Sequence, residues 1–197
     1  MSRQRIFDAI RRNRPPPVEH PGSIPASPLR FSDPLASFIE AVKSVGGQAE
    51  SLASRTQIPA LLKQRFPEAK IVSSLARGGP PSTLDLENNA DPHDLAGVDL
   101  AVLDGVFGVA ENGCVWVPEE NMRWRALPFI TQHLVLIVPA AAIVPTLHEA
   151  YERLAAALSA LTYGVLISGP SKTADIEQCL VIGAHGPRSL LVALVPE

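Results

Sequence analysis

Two stretches of this chain are apolar at nearly every position, His133–Val138 (HLVLIV) and Leu190–Val195 (LLVALV). Successive side chains of a strand point to opposite faces, so a strand with one wet face alternates apolar and polar residues. A strand that is apolar throughout must be covered on both faces, which is the condition of a mostly parallel sheet in an α/β fold. Shorter strand-like segments lie at Gln48–Leu52, Lys70–Ser73, Asp99–Leu103, Cys114–Val117 and Val165–Ser168. Helical patterns separate them. Asp33-Pro34 reads as an N-cap followed by proline at the first helical position. From there Leu35, Phe38, Ile39, Val42 and Val45 keep helical spacing until Gly46-Gly47. Further helices are predicted at Gln57–Arg65 and Val144–Leu158. The alternation predicts a three-layer α/β/α domain with a mostly parallel sheet.

Residues 33–197 are predicted to form that domain, and residues 1–32 an appendage. Residues 2–13 read as a short amphipathic helix, with Ile6, Phe7 and Ile10 on one side and arginines around the rest. That helix either lies on the domain or offers its basic face to an acidic partner. Arg14 to Pro28 is proline-rich and reads as an extended linker. Residues 77–97 form a long irregular connection rich in Gly, Pro, Asn and Asp.

Composition excludes several classes. At 46% hydrophobic and 19% charged residues the chain can bury a core and is not globally disordered. A net charge of −3, with 5% aromatic residues and no basic stripe, gives no reason to expect nucleic acid as a partner. The longest apolar stretch, Leu134 to Val144, is interrupted by Pro139. A membrane span needs about 20 residues, so none is predicted. The charged N-terminus lacks the apolar segment of a secretory signal. Cys114 and Cys179 have no CxxC spacing and are expected to stay reduced in a cytoplasmic protein.

The candidate chemistry lies in two polar turns beside the apolar runs. Gly169-Pro170-Ser171-Lys172-Thr173 is read as the turn between a strand and a short helix. The unpaired first amides of such a helix, the hydroxyls of Ser171 and Thr173 and the charge of Lys172 would then seat a carboxylate or phosphate. Simple capping by Ser171 or Thr173 is the alternative. In the predicted helix Asp175 and Glu177 diverge, so they are no proton-sharing pair, and Asp175 suits a capping role. Cys179 falls on the inward stripe. In Gly183-Ala184-His185-Gly186-Pro187, His185 is a candidate acid or base, with Gly186 part of the anion seat. His133 reads as a core residue and His148 as a surface one. Asn112-Gly113 signals a hairpin turn, and Glu111 before it is a candidate base or nucleophile if it faces a cleft. No metal-ligand spacing, P-loop or GxSxG is present.

These motifs together resemble a known family. GVAENGCVWV (108–117), LPFITQHLVLIVP (127–139) and ISGPSKTADIEQCLVIGAHGPRSLLVALV (167–195) look like the turn, the following strand and the C-terminal signature of the lactate-utilisation protein C family. That family is also called LutC or YkgG and is built on the LUD domain. The likeness runs from about Ile39 to Val195 and is densest after Leu166. It departs from the family's common residues at Asn112, usually threonine, and Lys172, usually arginine. The resemblance implies a fold like that of ribose-5-phosphate isomerase, the CoA transferases and 5-formyltetrahydrofolate cyclo-ligase (NagB/RpiA/CoA-transferase-like). It also implies a part in oxidising L-lactate to pyruvate beside iron–sulfur partner proteins. The chain's own two cysteines cannot supply the four ligands a cluster usually needs, so no cofactor is expected here. Two functional expectations follow. One is a non-redox subunit that supports those partners and binds a small carboxylate. The other is a free-standing isomerase, transferase or cyclo-ligase acting on a phosphate, CoA or folate substrate, with Glu111 and His185 as its reacting groups.

Overall fold

The computed structural model of the protein describes residues 3–19, 22, 29–84, 91–157, 163–176 and 179–196. The linker prolines Pro21, Pro25 and Pro28, residues 85–90 of the irregular connection and Glu177 lie outside these residues.

A five-stranded, wholly parallel sheet forms the centre. Its strands are β1 (Gln48–Ser51), β2 (Val72–Ser74), β3 (Leu100–Asp104), β6 (His133–Pro139) and β11 (Ser189–Val195), in the order β1-β11-β6-β3-β2. The two apolar runs of the sequence, β6 and β11, are adjacent inner strands, with Leu190 opposite Leu134 and Val192 opposite Leu136. Their alternate side chains enter different cores. Leu134, Leu136, Val138, Leu190, Val192 and Leu194 face one core, whereas Val135, Ile137, Leu191, Ala193 and Val195 face the other. This two-sided burial is the reason the strands carry no polar alternation.

One side of the sheet is covered by α3 (Ile58–Arg65), through Ile58, Leu61 and Leu62. The other side receives α2 (Pro34–Ser44) through Phe38 and Val42. The Asp33 side chain caps α2 by accepting from the Ala36 amide at 2.9 Å, as the Asp-Pro start predicted. Gly46, at φ +82°, ends the helix in a conformation that favours glycine.

The second side also carries a smaller sheet that the sequence announced only in part. In it β4 (Phe107–Val109) and β5 (Cys114–Pro118) form a hairpin around Asn112-Gly113. It is completed by β7 (Ile143–Val144) on β4 and β8 (Gly164–Ile167) on β5. Gly113 turns at φ +67°, and a Cβ there would stand 2.7 Å from the Val42 amide nitrogen, so the hairpin packs directly on the backbone of α2. The outer face of this sheet is covered by α5 (Leu147–Ala157), with Phe107, Val109, Val144 and Ala150 buried between them. One further turn of helix, α4 (Leu127–Ile130), leads into β6.

The helix predicted after Thr173 is absent. Residues Lys172–Ile176 (β9) and Cys179–Ile182 (β10) instead form an antiparallel two-stranded ribbon with a register shift between Cys179 and Val181. Thr173, Ile176, Val181 and Ile182 are β-branched, a class that fits a pleated strand better than a helix interior. The ribbon leaves Cys179 exposed, together with Leu180 and Ile182, rather than on an inward stripe. Asp175 belongs to a strand, so the helix it was expected to cap is not there. The N-terminal helix α1 (Arg3–Arg12) buries none of its residues, and its apolar side, Ile6, Phe7 and Ile10, stands open.

Candidate functional site

The two polar turns come together. The Ser171 amide donates to the Pro187 carbonyl at 2.9 Å, and the Gly183 amide donates to the Ser171 carbonyl at 2.9 Å. A Cβ on Gly186 would lie 3.0 Å from Ser171 Cβ, so the second turn crosses the first at close range. Thr173 Oγ1 and His185 Nδ1 are 3.3 Å apart in an exposed contact. Gly169 is buried at φ +72°, and a side chain there would strike the Val45 carbonyl at 2.5 Å. Ser168 Oγ donates to the Asn112 carbonyl at 2.9 Å and ties the first turn to the hairpin.

The junction differs from the seat predicted for it. With no helix at 172–176, there are no helix-terminal amides to hold an anion. Lys172 and Thr173 are neighbours on a strand and project to opposite faces. Thr173 meets His185, whereas the Lys172 side chain runs beside Gly46, within about 3.6 Å of a Cβ built there. That places the ammonium at the carboxyl end of α2, where a cation complements the helix dipole. Ser171, Thr173, His185 and Gly186 are thus gathered, and Lys172 is turned away.

Glu111 has a different neighbour. Its Oε2 accepts from the Leu147 amide at 2.8 Å, and its own amide donates to the Pro145 carbonyl at 3.0 Å. Leu147 is the first residue of α5, so the carboxylate satisfies one of that helix's unpaired amides. Thr146 Oγ1 accepts from the Glu149 amide at 3.4 Å, the first half of a capping box on the same turn.

The junction lies at the amino end of the parallel strands, because Pro187 and Arg188 lead into β11 and Gln132 into β6. Ligands of open α/β sheets usually sit at the carboxyl ends. At that opposite end Asp104 is enclosed by its neighbours. Its Oδ1 accepts from Arg55 at 2.7 Å and its Oδ2 from the Arg77 amide at 2.9 Å, while Asn121 Nδ2 donates to its carbonyl at 2.7 Å. The cluster clasps the ends of the strands.

Beside the junction, a cavity of about 530 Å³ opens at the amino ends of β3 and β6. Phe66, Asp99, His133 and Arg188 contribute to its wall. His133 is half-buried, with Nδ1 2.8 Å from Ser189 Oγ and its ring 5.0 Å from that of Phe66. Burial, and then the nearby Arg188 charge, lower its pKa, and Asp99 opposes them. Asp99 Oδ2 accepts from the Ile71 and Lys70 amides at 2.9 and 2.8 Å, which hold its carboxyl below the usual range. Sequence reasoning noticed His133 as a core residue and passed over Asp99 and Arg188. The available signal was the position of all three, each within a residue of the start of an inner strand.

Residues 35–195 match the LUD domain family, and the chain belongs to it. Among curated relatives, "Lactate utilization protein C" of Geobacillus kaustophilus is 33% identical over 116 residues, 55% of this chain and 46% of the relative. The protein of the same name from Deinococcus radiodurans is 28% identical over 197 residues, 96% of this chain and 92% of the relative. The chain spans about half the length of the first of these and nearly all of the second. The crystal structure of a DUF162 family protein from Deinococcus radiodurans superposes with a TM-score of 0.64 at 21% identity, covering 85% of this chain and 99% of that one. At that identity the likeness speaks for the fold. Among the described residues, no helix is long and apolar enough to cross a membrane.

Proposed function

We propose that this chain is a non-redox component of a lactate-utilisation system, supporting the oxidation of L-lactate to pyruvate by iron–sulfur partner proteins. The observation that carries the proposal is the correspondence with a relative called lactate utilization protein C over almost the whole of both chains. The oxidation releases two electrons and two protons, so it requires an electron acceptor. Burial pushes the Cys114 thiol up to about 11, far from the thiolate that ligates metal, and Cys179 lies in a different sheet. The proposal therefore leaves electron transfer to the partners.

In this reading a small carboxylate sits at the junction of the two turns, against the Ser171 and Thr173 hydroxyls and His185, with Gly186 permitting the close crossing and Gly169 the approach of the first turn to Val45. Lys172 contributes there only through the general field of its charge. Deleting the gene and measuring growth on L-lactate as sole carbon source tests the pathway assignment, with restoration by the intact gene as its control. Unchanged growth refutes it. Calorimetric titration with L-lactate and pyruvate, comparing the native chain with Ser171→Ala, tests the carboxylate site separately.

A further inference from the structure

The cavity at the amino ends of β3 and β6 is lined by an exposed arginine, Arg188, that makes no ion pair among the described residues. Arg188 is fixed at its backbone, where its amide donates to the Gln132 carbonyl at 2.8 Å. Its stem is fixed as well. Gly183, at φ +75°, lets the stem lie so close that a Cβ there would stand 2.5 Å from Arg188 Cγ and 2.9 Å from its Cα. Among the described residues, however, no carboxylate or carbonyl meets the guanidinium. The contrast with the cavity's other arginine is plain, because Arg65 is held by Glu50 across to β1. An arginine positioned by its neighbours and left unpaired at a cavity wall suits a planar anionic group, which its fork binds through two parallel hydrogen bonds.

The remaining wall narrows the ligand. Phe66 and Pro67 offer an apolar shelf, with the Phe66 ring beside that of His133. A second cavity of about 290 Å³ shares Phe66, Pro67 and Ala69, and its other residues include Leu62, Val72 and Leu100. Both volumes exceed what a three-carbon acid would fill. Asp99 adds an acceptor. Two amides occupy its Oδ2, leaving Oδ1 for a donor.

We infer that this cavity binds a small organic acid with an apolar body, its carboxylate on Arg188, its body on Phe66 and Pro67, and a hydroxyl or ammonium donor toward Asp99. The site is separate from the junction of the two turns, and it stands on the cavity alone, independent of the lactate-utilisation reading. His133 is a positioning residue in this arrangement, held by Ser189 and supporting the shelf.

The test uses the full chain and three probes of matched size. L-Phenyllactate carries the hydroxyl, L-phenylalanine the ammonium, and hydrocinnamate neither. Binding is followed by amide and histidine-ring NMR. Saturable shifts are expected around residues 65–69, 99, 132–133 and 188 for at least one of the first two probes, whichever of them binds better identifying the donor. Hydrocinnamate is expected to bind about tenfold more weakly, and Arg188→Gln to weaken binding by at least about tenfold, the loss of one charge-assisted hydrogen bond. A readout in the unmodified protein guards against a variant that folds poorly. A carboxylate on Arg188 and an apolar body on Phe66 both alter the surroundings of the His133 ring, 5.0 Å from that of Phe66, so its ring signals must shift when the ligand binds. The inference is overturned by absence of saturation at about 10 mM of every probe, far above the concentrations of specific sites. Equal affinity for hydrocinnamate, unshifted His133 ring signals, or full binding by a folded Arg188→Gln also overturns it.

Discussion

Glu111 decides between a helix cap and a reacting group, and the two roles separate in one experiment. Its Oε2 lies 2.8 Å from the Leu147 amide at the start of α5. Glu111→Ala removes that acceptor and leaves the amide to water, a change that costs about 0.5–2 kcal/mol at helix N-termini. Glu111→Gln keeps an acceptor oxygen and removes the charge, so it forfeits only the interaction with the helix dipole, about 0.3–1 kcal/mol. The Thr146–Glu149 contact stays in place in both variants, so α5 frays at its first turn and does not unravel. For a domain of this size 1 kcal/mol moves the midpoint of thermal unfolding by roughly 2–4 °C. The assay is urea unfolding of the native chain, Glu111→Ala and Glu111→Gln, beside growth on L-lactate with each variant supplied in place of the deleted gene. The expected order of stability is native, then Gln, then Ala, with an unchanged dependence on urea and normal growth for Glu111→Gln. A Glu111→Gln protein as stable as the native one that fails to support growth refutes the cap reading and restores Glu111 as a reacting group. Native stability in Glu111→Ala refutes it from the other side.

Three further outcomes follow from the geometry. Gly169→Ala is expected to destabilise by more than about 2 kcal/mol, because a left-handed non-glycine residue alone costs about 1–2 kcal/mol and the new Cβ would meet the Val45 carbonyl at 2.5 Å; urea midpoints measure it, with Ser168→Ala as the mild comparison. A thiol reagent at pH 8 should label Cys179 rapidly and leave Cys114 untouched until the protein unfolds, since Cys114 is buried and its pKa is about 11; fast labelling of both thiols would contradict the packing of β5. Stability should fall as pH drops below about 6.5 through His133, because its folded pKa is lowered and the unfolded chain binds the proton first. Above that pH the residue is neutral in both states and contributes nothing, so His133→Gln should flatten this part of the pH profile, and a profile identical to the native one would count against the assignment.

The central sheet was legible because its cause is local in the sequence. Continuous apolar strands at 133–138 and 190–195 require cover on both faces, and Asp33-Pro34 with Gly46-Gly47 brackets α2 whatever it packs on. The Asn112-Gly113 hairpin announced itself for the same reason, through the backbone its turn demands. Residues 172–182 did not. Ile176, Cys179, Leu180 and Gly183 fit a helical stripe, yet the β-branched residues among them fit an antiparallel ribbon equally well. The choice between them depends on what lies alongside, and the Ser171–Pro187 and Gly183–Ser171 hydrogen bonds favour the ribbon.

Taken alone, the sequence determined the class of fold, the two-sided sheet and the presence of two polar turns near its end. Tertiary structure alone decided which side chains share a space. It turned Lys172 away from Thr173, gave Glu111 to α5, and set Arg188 beside His133 and Asp99, although 89 positions of sequence separate Asp99 from Arg188. The physical reason is that apolar periodicity reports on burial, which each residue carries with it, whereas the pairing of polar groups depends on the register and crossing of strands distant in the chain.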